Sequence, residues 1–214
     1  MLSLRDIRIT YPSRQTPVLE GFSLDASPGD CIAIVSPNGG GKTTLLNAIS
    51  GVIPTHVEAE MQGTVTVNGT DITHLPLHDR LNYLAYQMAD PDTQFFFPTT
   101  SQELSFAPEN LGLPIAEIIY RTMDATDFFN LALFHSRDAS TLSTGQKKLL
   151  LMAICHVIDA PVILLDEPSA GLSDKSYFTL FSWIFKLKNM GKVILIAEHN
   201  AKLIGQCDRV IELV

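Results

Sequence analysis

Cysteine is scarce in this sequence. Cys31, Cys155 and Cys207 are the only three in 214 residues, too few and too widely spaced for a disulfide framework, and none stands at metal-ligand spacing. They read as packing residues of a protein kept in a reducing cytoplasm. A basic-then-apolar leader pattern is missing from the N-terminus. Positive charge is also in deficit: 15 Lys and Arg face 23 Asp and Glu, for a formal charge of -8. That balance excludes a broad phosphate-neutralising face, and nucleic acid is not expected as a partner. The longest apolar run, Leu149–Ile158, is interrupted by His156 and followed by Asp159. It falls short of the ~18 residues that span a bilayer, so any membrane contact is expected to go through another subunit. Internal repeats, heptads and low-complexity linkers are absent too. What remains is a chain of 46% hydrophobic residues, predicted to form one α/β domain over 1–214.

The apolar run Cys31–Val35, a glycine-rich stretch and a helically periodic Thr43–Ser50 predict strand, loop and helix. Alternation over Thr64–Val67 before Asn68-Gly69 predicts a hairpin, in a small sheet shared with a strand near Leu4–Ile9. Another short strand is expected at Asn82–Tyr86. From about Thr100 to Val157 the chain turns helical, with capping boxes expected at Thr100-x-x-Glu103 and Ser143-x-x-Gln146 and a first helical turn at Pro114. This helical arm, about 88–150, is read as an insert. Val162–Asp166 and Lys192–Ala197 then flank an amphipathic helix, Lys175–Met190, ended by Gly191. Strand, helix and strand in that order imply a parallel sheet.

The segment Ser36-Pro37-Asn38-Gly39-Gly40-Gly41-Lys42-Thr43-Thr44 lies where a strand gives way to a helix, the context of a phosphate-binding loop. Its glycines let backbone N–H groups converge on phosphates, Lys42 would reach the β- and γ-phosphates, and the Thr43 hydroxyl would meet magnesium. Downstream, an apolar strand ends in Asp166-Glu167. Carboxylates so placed need a cation or a reactive partner; Asp166 suits magnesium and Glu167 suits proton abstraction from an attacking water.

Leu142-Ser143-Thr144-Gly145-Gln146 resembles the Leu-Ser-Gly-Gly-Gln signature of the ABC ATPase family. Ser143 at a helix N-cap would offer a hydroxyl and free N–H groups at the positive end of a helix dipole. The resemblance implies a P-loop ABC ATPase with a parallel core sheet, a small antiparallel β subdomain and a helical arm, binding ATP and Mg2+. It further implies that Ser143, Gly145 and Gln146 meet the γ-phosphate held by a second ATPase subunit, in a homodimer or heterodimer. By the same resemblance Tyr11 stacks on adenine, Gln87 senses magnesium and the attacking water, and His199 contacts the γ-phosphate and positions Glu167. The stretch Tyr86–Thr99, with Phe106-Ala107-Pro108-Glu109-Asn110-Leu111-Gly112, is similar to the ATPases of energy-coupling factor importers. This likeness implies a transmembrane scaffold docked on the segment after Gln87, at the cytoplasmic face of the membrane. Phe95, Phe96 and Phe97 are expected to be exposed there, covered by that scaffold; the alternative reading makes them the helical arm's own core.

Three positions depart from the family pattern: Ser36 and Thr144 stand where Gly is usual, and Ser173 where Asp is usual. An active but asymmetric enzyme is expected. Two other readings compete. A different P-loop kinase or GTPase would leave Ser143–Gln146 without a role, and the Asn-Lys-x-Asp motif of guanine recognition does not occur in this sequence. A soluble ABC protein without a membrane partner would be separated by whether a membrane protein co-purifies.

Overall fold

The computed structural model describes residues 1–37 and 39–213. Two sheets share the chain. Strands β1 (Leu2–Thr10), β2 (Leu19–Ala26), β4 (Glu60–Val67) and β5 (Thr70–Asp71) form an antiparallel sheet in the order β2-β1-β4-β5. A parallel sheet takes β3 (Cys31–Val35), β6 (Leu84–Gln87), β7 (Val162–Asp166), β8 (Val193–Ala197) and β9 (Arg209–Glu212) in the order β6-β7-β8-β3-β9.

Both faces of the parallel sheet are covered, which is why its strands read as unbroken apolar runs. Alternate residues of β7 feed two cores: Ile163 and Leu165 join one, Val162 and Leu164 the other. The first core lies against α4 (Thr100–Asn110), α5 (Ile115–Phe128), α6 (Thr144–Ile158) and α7 (Asp174–Asn189). On α7 the stripe Leu180, Trp183, Ile184 and Leu187 is buried at helical spacing, and Gly191 leaves the helix with φ of 73°. The second core holds α1 (Lys42–Ser50) between the two sheets.

Several expectations shift. The strand expected at Asn82–Tyr86 runs from Leu84 to Gln87, so Gln87 is inside it. The cap of α4 is Thr99, whose hydroxyl accepts from Gln102 N–H, not Thr100 with Glu103. Glu103 is 3% exposed and accepts instead from the N–H groups of Phe96 and Phe97, at 2.5 and 2.6 Å. Its carboxylate thus fixes the loop before the helix. The box at Ser143 and Gln146 forms as expected, and Pro114 is the N-cap of α5. Strand β2, which the sequence reading passed over, supplies the edge beyond β1.

Candidate functional site

Four strands of the parallel sheet deliver polar residues at one edge, the carboxyl end where ligands of open α/β sheets bind. Strand β3 leads into the glycine loop, β6 ends at Gln87, β7 at Asp166, and β8 runs on to Glu198 and His199. Asn38 lies outside the described residues.

Gly39 and Gly41 have φ of 77° and 90°, and Gly41 caps α1 without any side-chain bond, leaving the helix's first N–H groups free for an anion. Ser36 fits because its neighbour is small: a Cβ on Gly40 would lie 2.6 Å from Ser36 Oγ. Lys42, 7% exposed, donates from Nζ to the Ser36 carbonyl at 3.1 Å and to Ser36 Oγ at 3.2 Å. The ammonium therefore folds back over the loop. Thr43 is exposed beside it, while Thr44 is buried and its hydroxyl lies 3.0 Å from Tyr11 Oη. That bond ties Tyr11, just past β1, to the loop helix.

Asp166 is 1% exposed, and neither of its oxygens has a hydrogen-bond partner among the described residues. Burial raises its pKa; the nearby Thr43 hydroxyl opposes this. A buried carboxylate left bare beside the loop fits a divalent cation. Among the described residues no cluster of three His, Cys, Asp or Glu could hold a metal unaided. A single buried carboxylate beside a phosphate loop is the donor set magnesium commonly uses, one or two carboxylates together with substrate phosphates.

Gln87 is wholly buried, and both polar atoms of its amide are unpartnered among the described residues. Alternation along β6 sets it on the face of Ala85, toward the helical core, whereas Tyr86 on the other face donates to Asn47 of α1 at 3.0 Å. To meet a cation at Asp166, Gln87 must therefore turn. Gln94 brackets it: its side chain accepts from Met88 N–H at 2.7 Å and donates to the Tyr86 carbonyl at 3.0 Å.

Glu167 follows β7 with a left-handed φ of 45°, an uncommon conformation for a residue with a side chain, and its N–H donates to the Ala197 carbonyl at 2.9 Å. The side chain reaches His199 Nε2 at 3.6 Å, both groups being open to solvent. Two buried charges that the sequence reading missed support this pair. Lys148 of α6, 2% exposed, donates to the Glu167 carbonyl. Burial lowers its pKa, against the pull of Glu167, Glu198 and Asp166. Glu198, 4% exposed, accepts from the N–H groups of His199, Asn200 and Ser169 at 2.8, 3.1 and 3.3 Å. Their charges at apolar-run positions were the available signal.

At the start of α6, Ser143 Oγ accepts from Gln146 N–H and Gln146 Oε1 accepts from Ser143 N–H at 2.9 Å, which leaves the serine's hydroxyl proton able to donate outward. Ser143, Thr144, Gly145, Gln146, Gly171 and Ser173 line an open recess of about 540 Å³. Gly145 is pressed on Gly171, whose carbonyl would lie 3.1 Å from an added Cβ. Ser173 caps α7, accepting from Ser176 N–H at 3.3 Å. From the first turn of α6, Lys147 Nζ reaches Asp92 at 2.5 Å in the loop after Gln87.

Only Phe96 of the three phenylalanines is exposed, at 75%. Phe95 packs on the helical core, and Phe97 lies 4.8 Å from Phe106 between ring centres. The expected apolar loop is thus one protruding ring on a packed base. Phe96 borders a groove of about 270 Å³ with Leu81, Met88, Phe106, Leu151 and Ile154.

Glycine loop, bare aspartate, adjoining glutamate and histidine, and capped signature are the parts of a nucleotide-binding cassette. Residues 19–170 match the ABC transporter family, and the chain belongs to it. It is similar to an ABC transporter ATP-binding protein of Treponema denticola, 31% identical over 212 residues, which cover 99% of this chain and 43% of that protein. The energy-coupling factor transporter ATP-binding protein EcfA of Methanothermobacter thermautotrophicus is 28% identical over 210 residues, 96% of this chain and 65% of its own. The chain spans less than half the length of most of the curated relatives it matches. Among solved structures, the dimeric post-hydrolysis ATP-binding cassette MJ0796 bound to ADP and Pi superposes with a TM-score of 0.87 at 21% identity, covering 100% of this chain and 94% of that one, and shares the fold. Structure cbiO1 of Clostridium perfringens, part of the ABC transporter complex cbiONQ, gives 0.79 at 27% identity, covering 99% and 84%. Among the described residues no helix is long and apolar enough to cross a membrane.

Proposed function

We propose that this chain hydrolyses ATP to energise a membrane importer of the energy-coupling factor type, as a peripheral subunit at the cytoplasmic face. The observation that carries the reading is the buried, unpartnered Asp166, set beside the free N–H groups of α1 and one residue ahead of Glu167. Residues 1–214 act as one cassette, with the helical arm of about 88–150 inserted in it.

The α1 N-terminus and Gly39–Gly41 receive the β- and γ-phosphates, displacing the Lys42 ammonium from Ser36 onto them. Tyr11 lies close enough to the loop helix to face the base. Thr43 and Asp166, joined by Gln87 after it turns, would hold Mg2+, which when bound neutralises charge on the phosphates. Glu167 accepts a proton from water aligned with the γ-phosphate, while His199 keeps its carboxylate in place and touches the phosphate. The recess at Ser143, Gly145 and Gln146 is open on this subunit and would close on the nucleotide of a second ATPase subunit.

The groove around Phe96 fits a helix of a transmembrane scaffold. Likeness to EcfA and to cbiO1 supports the importer type over a soluble ABC ATPase.

The deciding experiment replaces Glu167 with Gln. ATP binding should persist, turnover should be lost, and a nucleotide-bound dimer should accumulate. Wild-type hydrolysis in that variant removes Glu167 as the base; failure of any membrane protein to co-purify favours the soluble reading.

A further inference from the structure

Cys31 and Cys207 are 176 residues apart in sequence, yet their sulfurs lie 3.6 Å from each other. The pair is held by the main chain: Asp208 N–H donates to the Cys31 carbonyl at 2.8 Å, and Cys31 N–H donates to the Asp208 carboxylate at 2.9 Å. These bonds continue the pairing of β3 with β9. Both side chains pack on the helical-layer core, so they share one face of the sheet. A disulfide needs about 2.05 Å between sulfurs, an approach of about 1.5 Å from the observed contact. The contact already brings the two side chains together, and side-chain rotation is the motion that would close it.

The two thiols differ in reach. Cys31 is 0% exposed, whereas Cys207 is half-buried. The hydrogen bond from Cys31 holds the Cys207 thiol below the ordinary cysteine range, helped by Lys188; Asp208 and Glu198 act against it. Cys155 is buried alone, its thiol pushed up to about 12 by desolvation. The chain therefore contains one reachable thiol with a neighbour and one inert thiol as an internal reference.

We propose that Cys31 and Cys207 form a reversible oxidation site in which a hydroperoxide oxidises Cys207 and Cys31 resolves the product to an intramolecular disulfide. In the first step the Cys207 thiolate attacks one oxygen of hydrogen peroxide. The O–O bond breaks, an S–O bond forms, and hydroxide leaves; sulfur is oxidised to the sulfenic acid as peroxide is reduced. In the second, the Cys31 sulfur attacks that of Cys207. The S–S bond forms as the S–O bond breaks, and the departing hydroxide takes the Cys31 proton as water. A dithiol reductant restores both thiols by exchange through a mixed disulfide and is itself oxidised to a disulfide.

The full chain, treated with hydrogen peroxide, should lose two hydrogen masses; alkylation under denaturing conditions should then add one group, on Cys155, and digestion should yield a linked Cys31–Cys207 peptide. Dithiothreitol should restore all three thiols. Cys31→Ser should stop at the sulfenic acid, trapped as a dimedone adduct on Cys207, while Cys207→Ser should react roughly tenfold more slowly than wild type. Irreversible sulfinic acid on Cys207 without a linked peptide, a disulfide between two chains, or oxidation of Cys155 at the same rate would each overturn the proposal.

Discussion

Lys148 donates to the main-chain carbonyl of Glu167 from one turn inside the helix that Ser143 caps. Lys147, its neighbour, reaches Asp92 in the loop beyond Gln87. One turn of α6 thus touches the signature recess, the loop of the proposed scaffold groove and the backbone of the proposed base.

Replacing Lys148 with Met removes a buried cation from beside Glu167 and Glu198 while keeping its length. The maximal hydrolysis rate should fall roughly tenfold to a hundredfold, as expected for a misplaced base, with ATP affinity changed less than about threefold. Lys148→Arg should recover part of the rate. Parallel loss of affinity and rate in a nucleotide titration would instead assign Lys148 to general stability.

The glycine loop offers a paired test. Gly40→Ala should abolish ATP binding, because its Cβ would meet Ser36 Oγ at 2.6 Å and Ser36 Cβ at 2.7 Å. Ser36→Gly alone should bind normally, and the double variant should regain binding in part. No regain would mean that the Pro37 carbonyl, 3.0 Å from the same Cβ, sets the limit.

Ser173 stands where Asp is usual in the family, yet it caps α7. Ser173→Asp should preserve thermal stability, since Asp caps equally well, whereas Ser173→Ala should cost about 0.5–2 kcal/mol in denaturant unfolding. If Ser173→Asp also raises hydrolysis in a mixed dimer, the serine weakens communication between sites.

A pH effect on stability should come from His156. Its Nδ1 accepts from Trp183 Nε1 at 3.2 Å and its Nε2 donates to Asp124 at 2.8 Å, which fixes the neutral ring. Burial lowers its pKa, Asp124 opposing. The unfolded chain takes up this proton near the ordinary value of about 6.5 and the folded chain only at lower pH, so unfolding binds a proton between the two. Stability is full above about pH 6.5 and is lost as the pH falls toward the folded value. The Asp124 carboxyl, lowered chiefly by the same hydrogen bond, loses its contribution at lower pH still. Thermal midpoints from about pH 7.5 to 5 should slope downward on acidification. His156→Gln should flatten that slope at a lower plateau.

Phe96 and Phe97 separate docking from folding. Phe96→Ser should leave stability within about 0.5 kcal/mol, as surface changes do, and should abolish co-purification with a membrane scaffold. Phe97→Ser should destabilise the arm by opening the contact with Phe106. Retained co-purification in a folded Phe96→Ser protein would move the docking surface elsewhere.

Runs with a single periodicity were legible in the sequence: Cys31–Val35 and Val162–Asp166 are strands as read, because a strand buried on both faces leaves no position for polar residues. Strand β2 was not legible, since Gly21 and the shifts in its register against β1 interrupt the alternation. The glycine loop, Asp166-Glu167 and Ser143–Gln146 stood out because spacing along the chain mirrors spacing in space. Lys148, Glu198 and the Cys31–Cys207 contact did not, since each depends on which strands and helices become neighbours. Glu103 shows the opposite failure: its spacing matched a cap, but Thr99 had already taken that place.

Gln87 gives the resting subunit a built-in bias. Among the described residues the Gln87 amide has nothing to bond, and a buried amide group left so costs about 1–3 kcal/mol, so on the proposed reading the inward position is the high-energy end of a catch. Whatever draws the side chain out recovers that energy. On the proposed function, where nucleotide frees Gln87 from inside and the scaffold loosens its loop from outside, thermodynamic reciprocity has each tighten binding of the other.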